Sequence, residues 1–235
     1  MNSHFRNIRV FVGYDPREAI AYHVFCQSLI EHSSSPLTIT PLALKHLATK
    51  YSECHKDGSN QFIYSRFLVP FLSGFQGISL FFDGDMVIET DVHEILDHLD
   101  PSNAVHVVKH DYQTKHPIKY FGNKNENYPR KNWSSVIVFN NEHPSNKILQ
   151  PDFVSIQSGS YLHRFSWLAD HEIGEIPMKF NWLVNEYPKS DLAELLHYTL
   201  GIPCLKGFNQ CDSADRWFHY FNLLNQGVQL RDADD

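Results

Sequence analysis

Residues 77–88 read Gly-Ile-Ser-Leu-Phe-Phe-Asp-Gly-Asp-Met-Val-Ile, an apolar stretch broken once, by two carboxylates one residue apart. The run Ile78–Phe82 is the most apolar strand candidate in the 235-residue chain, too buried in character for a casual surface hairpin, so Asp83 and Asp85 are expected at a strand terminus beside a core. A second apolar run, Ile8 to Val12, ends in the turn Gly13-Tyr14-Asp15-Pro16. Residues 17–31 then carry a helical pattern that Ser33-Ser34-Ser35-Pro36 stops, and Leu37 to Leu42 reads as the next strand. Strand, helix, strand is the unit that builds parallel sheets and binds ligands beyond the strand C-termini. Further strands are expected at 104–108, 135–139 and 195–198. Helices are expected at 63–72, 92–99 and 159–168, with a terminal one running from Asp212 and Asp215 through Leu224. Polar loops are expected at 49–61 and 111–132, the second being either a lid or binding loop or a disordered insertion. No repeat or linker divides the chain, so residues 1–235 are expected to form one α/β domain.

A net charge of −7 argues against bulk nucleic-acid binding, because a protein that neutralises many phosphates carries a basic surplus. Any anionic ligand must then be met locally, by a metal or a few placed cations. The N-terminal segment MNSHFRNIRVFVGYD lacks the apolar core of a secretory leader, and no run of about 18 apolar residues could span a bilayer. Cys26, Cys54, Cys204 and Cys211 form no C-x-x-C pair, so reduced thiols and a cytoplasmic protein without an integral membrane segment are expected.

Hard cations such as Mn²⁺ or Mg²⁺ prefer oxygen ligands and complete their shell with phosphate and water, a task that suits Asp83 and Asp85. Gly84 between them leaves room for a phosphate and is free to turn tightly. The competing reading is an Asp-Gly turn in a β-hairpin. Towards the C-terminus, His197 closes a strand candidate and could supply an imidazole ligand or be an ordinary half-buried histidine. Gly201 could admit a pyrophosphate and Lys206 could neutralise it.

The segment His197 to Gly207 resembles the H-x-x-G-x-x-K-P-W ending of family 8 glycosyltransferases, whose histidine joins the D-x-D aspartates on the metal. Here the spacing is His-x3-Gly-x4-Lys, and Gly207-Phe208 replaces Pro-Trp. Residues 8–15 resemble that family's first strand and nucleotide-binding turn, which implies stacking of Tyr14 on a uracil and a hydrogen bond from Asp15. Residues 65–70 resemble the helix whose basic residue reaches the donor, making Arg66 a diphosphate or sugar contact, or else half of a plain surface salt bridge. Residues 132–140 are similar to its N-x-G strand, with Ser135 where a glycine often stands. Asp170-His171-Glu172, ahead of residues 176–181, resembles the acidic segment beside the sugar followed by a strand carrying Phe-Asn. These segments occur in the family's order from residue 8 to 208.

The resemblance implies a GT-A type fold, a Rossmann-like α/β arrangement with a mixed central sheet flanked by helices. It also implies transfer of a hexosyl-type sugar from a nucleoside-diphosphate donor, by preference a UDP-sugar, to a hydroxyl of a saccharide or other acceptor. Retention at the anomeric carbon follows from the family; Asp170 or Glu172 as general base would instead give inversion. Two further readings stay open: a nucleotidyltransferase, disfavoured because residues 13–17 hold one glycine where a phosphate-cradling loop needs several, and a non-catalytic nucleotide-sugar binder.

Overall fold

The computed structural model describes residues 8–55 and 58–226. Residues 1–7, 56–57 and 227–235 lie outside them, which includes the start of the segment read for a leader and two positions of the 49–61 loop. In chain order the strands are β1 (Ile8–Tyr14), β2 (Leu37–Ala43), β3 (Ile78–Phe82), β4 (Met86–Ile88), β5 (Val105–Val107), β6 (Val136–Asn140), β7 (Ile173–Glu175), β8 (Trp182–Leu183) and β9 (Leu195–His197). The α-helices are α1 (Ala19–His32), α2 (Val69–Leu72), α3 (Pro151–Ile156), α4 (Gly159–His163) and α5 (Ala214–Gln226).

Among the described residues the strands form a six-stranded sheet, ordered β2-β1-β3-β6-β5-β7, and a three-stranded sheet, ordered β4-β9-β8. β1 runs parallel to both β2 and β3, and β3 runs antiparallel to β6, so the larger sheet is mixed. Side chains alternate across a strand, and here both faces are covered. Phe11, Phe81, Ile137 and Phe139 pack toward Val69, Val154 and Leu162 of α2, α3 and α4. Val10, Val12, Leu80, Phe82 and Val138 meet Phe25 and Leu29 of α1 together with Met86 and Ile88 of β4. Each such side chain contributes roughly 1.5–3 kcal/mol of burial, which is why β3 reads as an unbroken apolar run.

α1 serves both sheets. Its Ala21 and Val24 point instead into a third cluster with Val87 of β4 and Trp217 and Tyr220 of α5. The second sheet is therefore held against the first through a helix, and the shortest of the chain's passages between them is Asp83-Gly84-Asp85, from β3 to β4. β3 and β4 do not pair with each other, so the two aspartates do not sit in a hairpin turn.

Several expected elements are shorter or of another kind. Residues 63–72 resolve into a 3₁₀ turn, Ser65–Leu68, running into α2. The segment 92–99 is a 3₁₀ helix over Val92–His98. The helix expected to reach Leu168 ends at His163, because Phe165 takes φ 54 and leaves the helical path. The segment expected to carry Phe-Asn on a strand is a 3₁₀ turn, Met178–Asn181, and the strand β8 begins one residue later.

Candidate metal and donor site

Three side chains meet where the sheets join. β3 ends at Phe82, and the Asp83 N–H is fixed by a 2.9 Å hydrogen bond to the Ser135 carbonyl at the foot of β6. Asp85 is fixed from the other sheet: its carbonyl accepts from Tyr198 N–H at 2.9 Å, and Met86 pairs with His197 across β4 and β9. Each aspartate is thus anchored to a different sheet, and His197 closes β9, the central strand of the second. Ligand atoms of Asp83, Asp85 and His197 lie within 4.8 Å of one another.

Gly84 is constrained by a neighbour distant in sequence. It is absent from the described glycines with positive φ, and a Cβ there would stand 2.5 Å from the Gly13 carbonyl oxygen. The absence of a side chain therefore makes room for the end of β1.

The trio is a group that could hold a metal ion. His197 Nε2 stands 3.3 Å from Asp85 Oδ1 and 3.9 Å from Asp83 Oδ2. Its other nitrogen, Nδ1, is 3.0 Å from the Oδ1 of buried Asn181, whose Nδ2 donates to Ser135 Oγ at 2.8 Å. With the amide nitrogen committed to Ser135, Asn181 offers its oxygen, so Nδ1 carries the proton and Nε2 presents a lone pair to the aspartates. Oδ1 of both aspartates is buried without a hydrogen bond of good geometry, although Arg66 Nη1 stands 2.7 Å from Asp83 Oδ1. Burying carboxylate oxygens without well-formed hydrogen bonds is costly, and a divalent cation between them would satisfy both. Burial, then the neighbouring Asp85 charge, push Asp83 up against the pull of Arg66. Asp85 is held below its ordinary value because His197 and Lys119 outweigh its burial. An oxygen pair with one imidazole is a donor set that fits Mn²⁺ or Mg²⁺.

These residues form one wall of a cleft of about 370 Å³, within the usual size of small-ligand sites. Arg66 and Ser135, two of the expected donor contacts, also line it. Arg66 is no surface residue: it is 3% exposed and also donates to the carbonyls of Ile63 (3.0 Å) and Ser134 (2.8 Å).

The remaining expected site residues do not line this cleft. Tyr14 is half-buried with its ring edge-on to Tyr22. Asp15 is buried and committed to structure, accepting from Arg17 N–H, Gln61 N–H and the Arg17 guanidinium. Its burial would raise it, but those donors win and hold it below the usual carboxylate range. Gly201 backs onto the Phe208 ring, 2.8 Å from where a Cβ would be, and Lys206 is exposed. Asp170, whose side chain is 89% exposed, pairs with Arg130 at 2.5 Å. His171 is exposed, and Glu172 accepts from Ser145 Oγ and from Ala169 N–H, capping the turn that leads into β7.

The 111–132 loop brings Lys119, Lys124 and Lys131 to the cleft, which Lys206 does not line. It is an ordered wall: Lys119 N–H bonds to the Asn123 carbonyl at 2.8 Å, and Asn125 Nδ2 ties down Thr114, His116 and Glu186. Lys119 lines the cleft with its Nζ 3.0 Å from Thr199 Oγ1, and burial lowers its pKa although Asp85 and Asp83 hold it up. Lys131, buried, donates to Asn125 Oδ1, and burial brings it down to about 8. A polar loop with several lysines was the sequence signal for this wall; no local pattern marks which lysine turns inward.

No family model matches the chain. Protein CDI of Arabidopsis thaliana is 40% identical over 235 residues, covering 97% of this chain and 90% of that protein. Among solved structures, the bifunctional glycosyltransferase WbbM in its apo form superposes with a TM-score of 0.64 at 15% identity, over 94% of this chain and 50% of WbbM. The galactosyltransferase LgtC, solved with donor and acceptor sugar analogs, superposes with a TM-score of 0.54 at 11% identity, over 92% of this chain and 96% of LgtC. The chain thus spans half the length of WbbM and nearly all of LgtC. These likenesses identify the fold as the GT-A glycosyltransferase fold.

Proposed function

This chain belongs to the family of Arabidopsis thaliana Protein CDI and has the GT-A fold, and we propose that it is a metal-dependent glycosyltransferase that takes its sugar from a nucleoside diphosphate. One observation carries the reading: two buried aspartate oxygens without good hydrogen bonds converge with a histidine lone pair on one wall of a ligand-sized cleft. Asp83, Asp85 and His197 would hold Mn²⁺ or Mg²⁺, which when bound supplies charge stabilisation to a departing diphosphate. Lys119 and Arg66 add fixed positive charge on the same wall, in a site partly withdrawn from water where such charge counts for more. Asn181 keeps His197 in the tautomer that binds metal.

UDP-sugars are the donors we favour, and a hydroxyl of a saccharide or other molecule the acceptor, as the family 8 resemblance implies. Retention is favoured over inversion. An inverting enzyme needs a base at the acceptor hydroxyl, and the side chains of Asp170 and Glu172 are engaged away from the cleft. The described cysteines are free thiols, in keeping with a cytoplasmic protein. Among the described residues no helix is long and apolar enough to cross a membrane.

The test is release of UDP from a panel of UDP-sugars with Mn²⁺, with and without saccharide acceptors. Release that needs metal and rises with an acceptor is expected. Pyrophosphate release from a nucleoside triphosphate in its place, or UDP release unaffected by a chelator, would overturn the reading. NMR of the product's anomeric proton settles the stereochemistry, and a configuration opposite to the donor's would sink retention.

A further inference from the structure

The cleft extends away from the metal trio, and its other end carries a second set of uncommitted polar atoms. Arg66 bridges the two ends: one guanidinium nitrogen faces both Asp83 and the Ser134 carbonyl, and Ser134 Oγ lies 2.7 Å from His163 Nδ1. His163 and Arg164 follow at the end of α4 and line the cleft. The ring of His163 packs edge-on to Phe67, which leaves its Nε2 buried without a partner. Burial, then Arg66, lower its pKa to about 3, so the imidazole is neutral at physiological pH. With Nδ1 against Ser134 Oγ, Nε2 is the unused atom of the ring, and it is a donor in the tautomer in which Ser134 Oγ donates to Nδ1. Arg164 Nε is likewise buried and unpaired, and among the described residues the guanidinium makes no hydrogen bond or ion pair.

Charge tells what would pair with them. The cleft is lined by five cations, Arg66, Lys119, Lys124, Lys131 and Arg164, against the carboxylates Asp83, Asp85 and Glu126. In a chain of net charge −7 this is a local reversal of sign. Two of the three carboxylates belong to the metal trio, so a divalent cation there would leave the cleft more positive still. A neutral sugar has hydroxyls for such donors but no charge for a half-buried guanidinium whose Nε is buried and unpaired, whereas an oxyanion satisfies both.

We propose that the His163–Arg164 end of the cleft binds an oxyanion carried by the sugar moiety of a substrate, either the carboxylate of a uronic acid or the phosphate of a phosphosugar. Arg164 supplies the charge and His163 a neutral donor, and Ser134 orients the imidazole. As a subsite for a sugar this rests on the transferase reading above; as an anion site it stands on the unpaired atoms alone.

The experiment is calorimetric titration of wild type and Arg164→Gln. The first arm uses metal-free protein with glucuronate, glucose 6-phosphate and glucose. The second uses UDP with Mn²⁺, and the third compares UDP-glucuronate with UDP-glucose, also with Mn²⁺. Wild type is expected to bind glucuronate or glucose 6-phosphate at least about tenfold more tightly than glucose, a difference of about 1.4 kcal/mol. Whichever anion wins identifies the source. Arg164→Gln should abolish that preference with UDP binding unchanged, and Arg164→Lys should restore part of it. Anion binding without UDP binding sinks the transferase reading and leaves the anion site standing. Equal affinity for charged and neutral sugars in wild type overturns the anion site, as does a preference that survives in Arg164→Gln.

Discussion

The chain contains two acidic triplets of similar appearance, Asp83-Gly84-Asp85 and Asp170-His171-Glu172, and the structure gives them opposite environments. The first spans the junction of two sheets, with each aspartate anchored by backbone to a different one and an oxygen of each buried without a good hydrogen bond. The second begins on the surface, its Asp170 paired with Arg130 in solvent and its Glu172 satisfied by Ser145 and Ala169. Carboxylates whose bonds are complete have no unmet demand for a ligand. The difference lies in what surrounds the acids rather than in the acids themselves.

Substitutions should separate the two triplets widely. Asp85→Asn removes a ligand and is expected to cut Mn²⁺ affinity by at least about 100-fold and to abolish metal-dependent turnover, measured by calorimetry and UDP release. One step out, Asn181→Leu deprives His197 of its orienting acceptor and should cost about 10–100-fold in Mn²⁺ affinity with the fold intact by circular dichroism. Asn181→Asp, which keeps an acceptor oxygen, should recover most of that loss; an equal loss in both variants would show that Asn181 does not act through His197.

Proton linkage gives a test with a definite sign. Burial raises Asp83, and burial with the Asp85 charge raises Glu18 to about 8, both above their unfolded values. The folded metal-free chain therefore holds more protons than the unfolded one between about pH 4 and 8, so these two groups make it more stable as pH falls through that window. Metal binding runs the other way, since protons compete for Asp83, and Mn²⁺ affinity should decline below about pH 6. Thermal denaturation of wild type and Asp83→Asn with and without Mn²⁺ separates the effects: the variant should flatten the metal-free pH dependence and lose the metal-induced rise in Tm.

At the second triplet the effects should be small. Glu172→Gln loses a charged cap and should cost about 1 kcal/mol in chemical denaturation. Asp170→Asn should stay within about 0.5 kcal/mol, and neither should alter Mn²⁺ affinity. A loss of metal-dependent turnover in Asp170→Asn comparable to that in Asp85→Asn would erase the distinction drawn between them.

What could be read from sequence follows from how local its cause is. The unit β1-α1-β2 and the strand β3 were legible because burial on both faces imposes apolar runs, and Asp83, Asp85 and His197 were legible because strand ends hold them. Lys119 lies in an irregular loop, and His163 and Arg164 stand where α4 ends. Phe121 (φ 55) follows the first of these and Phe165 (φ 54) the other two, and nothing in the residues beside them announces those turns. Lys206 and the 170–172 triplet matched a pattern of residue types, but one is exposed and the other is engaged elsewhere. The close approach of Gly84 to the Gly13 carbonyl was not legible, since the two are 71 positions apart in sequence.

The most direct measurement is the mutual dependence of metal and nucleotide, by titrating UDP into wild-type protein with and without saturating Mn²⁺ and then Mn²⁺ with and without saturating UDP. If Asp83, Asp85 and His197 hold a cation that grips a diphosphate, each ligand tightens the other by the same factor, at least about tenfold, and Asp85→Asn abolishes the coupling. UDP binding of equal strength with and without metal would contradict the assignment.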